Sequence, residues 1–416
     1  MLIFGENRYL DMFRIYFFSL LLSFFYLSSP AQNIYIPEIP DSLSNKANAI
    51  ILKDKTDIQI ISQEKMIEHY QTQILIKNKQ ADHLSEVVIF HDPYRNVNQV
   101  NLKFYNIFGK VLQKVTKKDF KDYAASGRST LYSDSRAMVY TYTPTTYPYI
   151  VEIDYTITSE NTAFIPSWHP YPGYNISVLD SEYNLIYPPN FNLYKVEKNL
   201  EKFKVISYDK VNGISYFAEN LPAIEHEPLS PGSNAITPWV KLAVDKFQLA
   251  GVKGTARSWE DFGHWMTTEL LKGRNKLSDE SVQKIKNMVA GVNDPVERAK
   301  IIYDYVQNKV HYINVAIGIG GWQPMPASEV DKLGYGDCKA LTYYTKSLLD
   351  VAGVPSIYTV VYAGDAQKSI DENLSVFKAT TFFYVFLRHK TAFGWNVPRK
   401  KCPSGLQTTS PITEKP

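Results

Sequence analysis

The chain has 416 residues, of which 44% are hydrophobic, and these values fit a globular protein of about two or three domains. Its formal net charge is only +3, which excludes a broad nucleic-acid-binding surface, and no nucleic-acid partner is expected. Only two cysteines are present, which excludes an extracellular scaffold stapled by several disulfides.

The amino terminus has the pattern of a secretory signal peptide. A weakly basic segment begins at Met12, an apolar run extends from Tyr16 to Leu27, and small residues lead to Ala31. We predict translation from Met12, removal of residues 1–31, and export to the periplasm or the medium. The alternative is a membrane anchor, but the run is shorter than the roughly 20 apolar residues of a spanning helix. We therefore expect membrane contact only through the signal peptide.

Residues 32–250 carry the pattern of many short strands. Apolar and polar residues alternate, and 30 tyrosines and 21 phenylalanines in the chain favour β structure. The clearest predicted strands are Ile58–Ser62, Thr72–Ile76, Val100–Tyr105, Ala137–Tyr142, Tyr149–Ile157, Phe203–Tyr208 and Trp239–Val244. With turn residues between them, these strands predict an antiparallel β-sandwich domain of unknown function.

A second domain is predicted at residues 251–376, after a proline-rich connector. Helix start signals, each an N-cap residue with an acidic residue in the next turn, occur at Ser258, Ser278 and Asp294. A further helix is predicted from Asp337 to about Val351, with Lys339 and Tyr343 on its outer faces, and a strand follows from Pro355. The fold class predicted for the whole chain is therefore α+β.

Cys338 stands at the predicted first turn of that last helix, behind the loop Gly334-Tyr-Gly-Asp. Asp337 is a suitable N-cap, which places Cys338 at the first helical position. The partial positive charge of a helix N-terminus lowers the pKa of a thiol, and the Cys338 backbone N–H is suited to hold an oxyanion. This pattern predicts a nucleophile. A buried, inert cysteine is the alternative, and spacing alone does not decide between the two.

The segment Gly334-Tyr-Gly-Asp-Cys-Lys-Ala-Leu, preceded by Gly320-Gly-Trp-Gln-Pro, resembles the transglutaminase-like (papain-fold) superfamily. The layout resembles exported bacterial proteins in which a β-rich domain of unknown function precedes this core. The resemblance implies helices packed on an antiparallel sheet, and a Cys338 nucleophile served by a histidine and an acid. It also implies an oxyanion contact from Trp322 or Gln323. The sequence does not choose between them, and a packing role for Trp322 stays open.

The resemblance does not extend to the histidine that serves as the catalytic base in the family. The family's histidine opens a strand after the cysteine helix, but no histidine occurs here between His311 and His389. Codons compatible with Phe377–Ser404, read one base out of phase, can encode Gly-Asn-His-Ile and, about fifteen residues later, Trp-Leu-Glu-Cys-Thr. We therefore predict that residues 377–416 are a frameshifted tail. Such a tail would leave the sheet incomplete and Ile357, Val360 and Val361 without neighbours, although residues 382–387 can form one strand.

The resemblance implies a cysteine acyltransferase, amidase or protease. It would act on peptide amides of a peptide, protein or cell-envelope substrate through a Cys338 thioester, and would be impaired in this chain. No cofactor or metal is expected, because the histidines lack ligand spacing and no phosphate-binding glycine loop occurs. The alternative is an exported, non-catalytic binding or assembly module that uses the β-rich domain.

Overall fold

The computed structural model describes residue 34, residues 36–125 and 130–362, and two strands at residues 381–387 and 393–395. The predicted signal peptide lies outside these residues, as do His389 and residues 396–416. Within the described residues, no helix is both long and apolar enough to cross a membrane.

The amino-terminal part is built almost entirely of strands. They are β1 (Ala49–Ser62), β2 (Lys65–Ile76), β3 (Glu86–His91), β4 (Arg95–Asn106), β5 (Val111–Thr116), β6 (Lys121–Ala124), β7 (Thr130–Ser133), β8 (Arg136–Thr141), β9 (Tyr149–Ser159), β10 (Ile176–Ile186), β11 (Leu193–Lys198), β12 (Ile206–Lys210), β13 (Gly213–Leu221), β14 (Trp239–Val244), β15 (Lys246–Leu249) and β16 (Val252–Thr255). Two single-turn α-helices accompany them, α1 (Asp41–Ser44) and α2 (Ser233–Ile236), together with 3-10 helices at Lys79–Ser85, Lys117–Asp119 and Glu201–Phe203.

An eight-stranded sheet dominates this part, in the order β12-β13-β10-β1-β2-β9-β4-β5. The strands β1 and β10 pair in parallel, whereas the other neighbours pair antiparallel. The sheet is therefore mixed, and the prediction of a purely antiparallel architecture was wrong. Alternation along a strand fixes which side chains are buried but carries no information on the direction of the partner strand.

The two faces of the large sheet are covered differently. Along β1, Ala49 and Ile51 join the main core, while Ile50 and Leu52 join a second cluster on the opposite face. The main core also contains residues of β14 and of the three-stranded sheet β3-β8-β6, so sheet packs on sheet at that face. The second face is covered in part by the extended segment that contains Ile36 and Ile39.

Helices replace strands after residue 258. They are α3 (Trp259–Trp265), a π-helix (Met266–Leu271), α4 (Asp279–Met288), α5 (Pro295–Lys309), α6 (Ala327–Leu333) and α7 (Cys338–Val351). The three predicted starts are confirmed, because the side chains of Ser258, Ser278 and Asp294 each accept a backbone N–H of the following turn. The strands of this part are β17 (His311–Tyr312), β18 (Asn314–Ala316), β19 (Tyr335–Gly336), β20 (Ser356–Tyr362), β21 (Thr381–Leu387) and β22 (Phe393–Trp395).

Helix α7 is the central element of this part and is buried on nearly all sides. Lys339 is 3% exposed and Tyr343 is 8% exposed, so their predicted place on outer faces was wrong. The π-helix covers Tyr343, whose hydroxyl donates to the Leu271 carbonyl over 3.0 Å. Neighbouring elements that bury a helix on every side cannot be read from the periodicity of the helix itself.

The helix α7 packs on β20 and β21 of an antiparallel sheet with the order β20-β21-β22. Strand β21 pairs with the whole of β20, from Ser356 opposite Leu387 to Tyr362 opposite Thr381. The strand predicted within residues 382–387 is confirmed. The expectation that β20 would lack a neighbour was wrong, because a run of aromatic and β-branched residues pairs readily with an open strand edge.

Candidate functional site

The loop before α7 fixes where Cys338 lies. Gly334 ends α6 with a φ of 72°, a left-handed conformation that favours glycine. Gly336 allows close packing, since a Cβ there would lie 3.0 Å from the Ala340 Cβ. The Asp337 side chain then accepts the Ala340 backbone N–H over 2.9 Å and caps the helix. Cys338 is consequently the first residue of α7, as a partly buried free thiol.

The electrostatic surroundings of this thiol differ from those expected. Burial raises the pKa of Cys338, and the neighbouring Asp337 carboxylate raises it further. The Lys339 ammonium and the backbone N–H groups of Cys338 and Lys339 lower it, but they do not outweigh the first two effects. The expected depression of the thiol pKa was therefore wrong for this structure, because desolvation of the thiolate exceeds the stabilisation from the helix N-terminus.

A buried ion pair lies directly beside the thiol. The Lys339 ammonium pairs with Asp337 Oδ2, and the two side chains are 4% and 7% exposed. The other carboxylate oxygen, Oδ1, caps the helix. Asp337 therefore joins the helix start to a buried cation, and removing either charge would leave its partner unpaired in a low-dielectric site.

Aromatic and apolar side chains surround Cys338. It packs against the buried cluster that contains Phe247, Phe262 and Trp265, and Phe164, Trp322, Tyr358 and Val360 pack against the same cluster. Tyr358 is affected by the site in turn: burial first, and then Cys338 and Asp337, raise its pKa well above the usual range. The thiol therefore lies at the junction of α7, β20, the loop around Trp322 and the β-rich part.

The structure separates the two oxyanion candidates. Trp322 belongs to the cluster that contains Cys338. The Gln323 amide faces other partners, because its Oε1 accepts from the Arg274 guanidinium and its Nε2 donates to the Glu269 carbonyl over 3.4 Å. Trp322 therefore shares an apolar cluster with Cys338, whereas the Gln323 amide is engaged by Arg274 and Glu269. Arg274 was not identified from the sequence, since no local motif links it to a loop so distant in the chain.

A cavity of ≈ 260 Å³ lies beside the start of α7. It is lined by Gly336, Asp337 and Ala340 on the helix side and by Arg274 and Gln323 opposite. The cavity therefore adjoins the start of α7, although Cys338 itself does not line it. It is large enough for a small side chain or a few water molecules.

No base was identified within the described residues. The charged groups acting on Cys338 there are Asp337 and Lys339, with no histidine among them. His264 is exposed and lines a separate cavity of ≈ 310 Å³, and His311 is exposed on β17. Within the same residues, no group of three or more His, Cys, Asp or Glu side chains is arranged to hold a metal ion.

Comparison with known proteins identifies one domain of the chain. Residues 62–225 match the family model described as "Domain of Unknown Function with solved-structure structure (DUF3857)". This range lies inside the β-rich part and contains Phe164. No curated protein matches the chain.

Solved structures add information on the fold. The chain is similar to a "putative protease" from Parabacteroides distasonis, with 15% sequence identity and a TM-score of 0.59. The similarity covers 82% of this chain but only 65% of that one. A "putative cysteine protease" from Cytophaga hutchinsonii matches at 9% identity over 80% of this chain and 76% of that one, with a TM-score of 0.21, too low to support an argument. Residues 62–225 therefore match the DUF3857 family model, and the chain is similar in fold to the Parabacteroides structure.

Proposed function

We propose that this chain carries the nucleophile site of an exported, transglutaminase-like cysteine acyltransferase, amidase or protease that acts on peptide amides. In this proposal a base takes the thiol proton while Cys338 attacks the carbonyl carbon of the amide. The protonated base then gives that proton to the leaving amine, and a thioester remains. Water or an acceptor amine then releases the acyl group. The secretory pattern of the amino terminus supports substrates in the cell envelope or outside the cell.

The observation that carries the proposal is the place of Cys338. It is a free cysteine at the first position of a fourteen-residue helix that Asp337 N-caps. A structural cysteine does not need a helix N-terminus. A catalytic thiol gains from one, because the backbone N–H groups there can stabilise the oxyanion that forms when the thiol attacks a carbonyl. The likeness in fold to a structure named as a protease is consistent with this function.

We propose that the base of the intact enzyme belongs to the start of β21. Tyr358 and Val360 pack against the same cluster as Cys338, and Val360 pairs with Phe383 near that strand start. Thr381 opens the strand opposite Tyr362. The resemblance expects a histidine at a strand start after the cysteine helix, but the chain has threonine at positions 380 and 381. We therefore propose that turnover by this chain is weak or absent.

A second candidate function rests on the raised pKa of Cys338 and on the absence of a base beside it among the described residues. Both observations are consistent with a non-catalytic scaffold in which the β-rich part binds a ligand of the cell envelope. An uncharged thiol at neutral pH is a poor nucleophile. Under this alternative the chain is a binding or assembly module, and its activity does not depend on Cys338.

Alkylation of the thiol across the pH range in which thiols and imidazoles titrate tests the proposal. Cys402 of the chain, and every cysteine that the alternative frame introduces after Phe377, is replaced by serine so that Cys338 alone reacts with iodoacetamide. The chain with the present sequence (the parent chain) is compared with a version in which the codons after Phe377 are read in the alternative frame (the reframed chain). We expect Cys338 of the parent chain to react no faster than a free cysteine. Cys338 of the reframed chain should react faster than a free cysteine below neutral pH, and the reframed chain should hydrolyse a peptide amide.

Cys338→Ala in the reframed chain is the matched control and should abolish both signals. If the reframed chain reacts no faster than a free cysteine, or if its hydrolysis survives Cys338→Ala, the enzyme proposal is wrong and the scaffold alternative gains support. Sequencing the gene through codons 370–400 decides separately whether the frame change belongs to the natural gene.

A further inference from the structure

The segment that carries Trp322 is bound to the β-rich part as well as to the helices. Strand β18, which leads into this segment, pairs in parallel with β7, from Asn314 opposite Thr130 to Ala316 opposite Ser133. The Asn314 side-chain amide also donates to Thr130 Oγ1 over 2.8 Å. The β-rich part thus contributes a strand to the edge of the candidate site.

A second contact fixes the next turn of the same segment. Gly318 has a φ of 50°, and its backbone N–H donates to Asp134 Oδ2 over 2.7 Å. A Cβ at this glycine would lie 3.3 Å from the Tyr94 hydroxyl, so the loop lies close to the β-rich surface. The left-handed turn at Gly318 is therefore held by a side chain that follows β7.

The third contact involves Trp322 itself. Its ring stacks on Phe164, with centroids 5.5 Å apart and planes 27° apart. Phe164 lies in an anchored segment, since the backbone N–H groups of Thr162 and Ala163 donate to the Gln248 carbonyl over 3.0 and 3.2 Å. Thr162 Oγ1 also donates to the Gln63 carbonyl over 2.6 Å. An aromatic pair whose one member is fixed restricts the orientation of the other.

The helical part holds the other end of the segment. Arg274 donates to the Pro324 carbonyl over 2.9 Å and to Gln323 Oε1, and its own carbonyl accepts the Ala327 N–H over 2.7 Å. Trp322 therefore lies where two sets of contacts meet, with β-rich contacts before it and helical contacts after it.

We propose that the β-rich part of this chain completes the thiol site, with Asp134 and Phe164 as positioning residues that hold Trp322 in the apolar cluster against which Cys338 also packs. The inference rests on the proposed function, because it assigns a role to Trp322 beside the nucleophile. It gives the DUF3857 domain of this chain a function in building the site, independent of any ligand that the domain binds.

The test uses the full chain with Cys402→Ser and measures the rate of Cys338 alkylation by iodoacetamide as a function of pH. Phe164→Ala removes the stacked ring and admits water, so the alkylation rate at neutral pH should rise about three- to tenfold. The thiolate fraction changes about tenfold for each unit of pKa, which sets the upper figure. Asp134→Ala, which frees the Gly318 turn, should change the rate in the same direction.

Matched controls come from the same part of the chain. Phe120→Ala removes a partly buried ring that contacts Tyr140 with centroids 5.6 Å apart. Asp119→Ala removes a carboxylate that accepts the Thr116 N–H over 2.7 Å. Both variants should leave the alkylation profile unchanged even where thermal unfolding shows a comparable loss of stability.

A double-mutant cycle distinguishes an effect of Phe164 that acts through Trp322 from a general loss of packing around Cys338. In a Trp322→Ala background, Phe164→Ala should have no further effect on alkylation if Phe164 acts through Trp322. If Phe164→Ala does not fold, Phe164→Leu, which keeps most of the apolar volume but removes the aromatic ring, replaces it in the same measurements. Unchanged profiles in the Phe164 and Asp134 variants, or additive effects in the cycle, overturn the inference. The proposed function is judged by the reactivity of the parent and reframed chains, so the two failures are distinguishable.

Discussion

Replacement of Asp54 by asparagine should remove a pH dependence of stability that originates inside the large sheet. Asp54 lies opposite Ser181 in the parallel pair of β1 and β10. The Trp168 indole N–H donates to Ser181 Oγ over 3.0 Å, and Ser181 Oγ donates to Asp54 Oδ2 over 2.8 Å. Burial raises the pKa of Asp54 to about 6, although the hydrogen bonds from Ser181 and Tyr70 oppose this.

The sign and size of the effect follow from that pKa. The folded-state value of about 6 exceeds the ordinary value of 3.8, so between these limits the folded chain binds more protons than the unfolded chain. The stabilisation is fully present below 3.8 and is lost as the pH rises through about 6. A shift of this size corresponds to about 3 kcal/mol, and partial access of solvent to Asp54 reduces the expected loss to about 2 kcal/mol.

Urea denaturation of the parent and of Asp54→Asn between about pH 4 and pH 7 measures this loss. The parent should lose about 2 kcal/mol relative to the variant over the range, because asparagine carries no charge to bury. Asp209→Asn, which removes an exposed carboxylate from the same sheet, serves as the control. Parallel curves for the parent and Asp54→Asn would refute the reasoning.

Three further predictions concern the helical part. Lys339→Met removes the ammonium that lowers the Cys338 pKa, so alkylation of Cys338 at neutral pH should slow severalfold. A shift of the alkylation profile to lower pH would contradict this. Burial of Asp331 disfavours its ionised form, but hydrogen bonds from Lys309, Ser281 and Tyr344 outweigh it and hold its pKa below the usual range. Asp331→Asn should therefore cost about 3 kcal/mol in urea denaturation at neutral pH and less as the pH falls through that lowered pKa; an equal loss at all pH values would contradict this. Gly318→Ala should destabilise by about 1 kcal/mol, because it strains a φ of 50° and approaches Tyr94, and a neutral thermal shift would contradict this.

Local signals accounted for what the sequence predicted correctly. Ser258, Ser278 and Asp294 start helices because a cap needs only its own turn. The loop before Cys338 could be predicted in the same way, since Gly334 ends one helix and Asp337 caps the next through their immediate neighbours. The sequence therefore located the thiol at a helix start without knowledge of the surrounding fold.

Effects that depend on distant partners were not predictable. The parallel pairing of β1 with β10, the burial of Lys339, and the contacts of Phe164 and Arg274 with the Trp322 segment all arise from tertiary structure. The thiol pKa shows the same limit. The helix N-terminus was visible in the sequence, but the burial that outweighs it was not.

In the proposed enzyme, the nucleophile and its base depend on different parts of the chain. Gly334, Asp337 and Lys339 fix Cys338, and Asp331 ties α7 to the other helices, all before β20 begins. The proposed base belongs to the segment that opens β21, where Thr381 lies opposite Tyr362. In the alternative frame, a histidine codon would straddle the codons of Thr380 and Thr381. A change of frame at Phe377 would then remove the proposed base while leaving intact the loop and helix-cap contacts that place Cys338 at the start of α7.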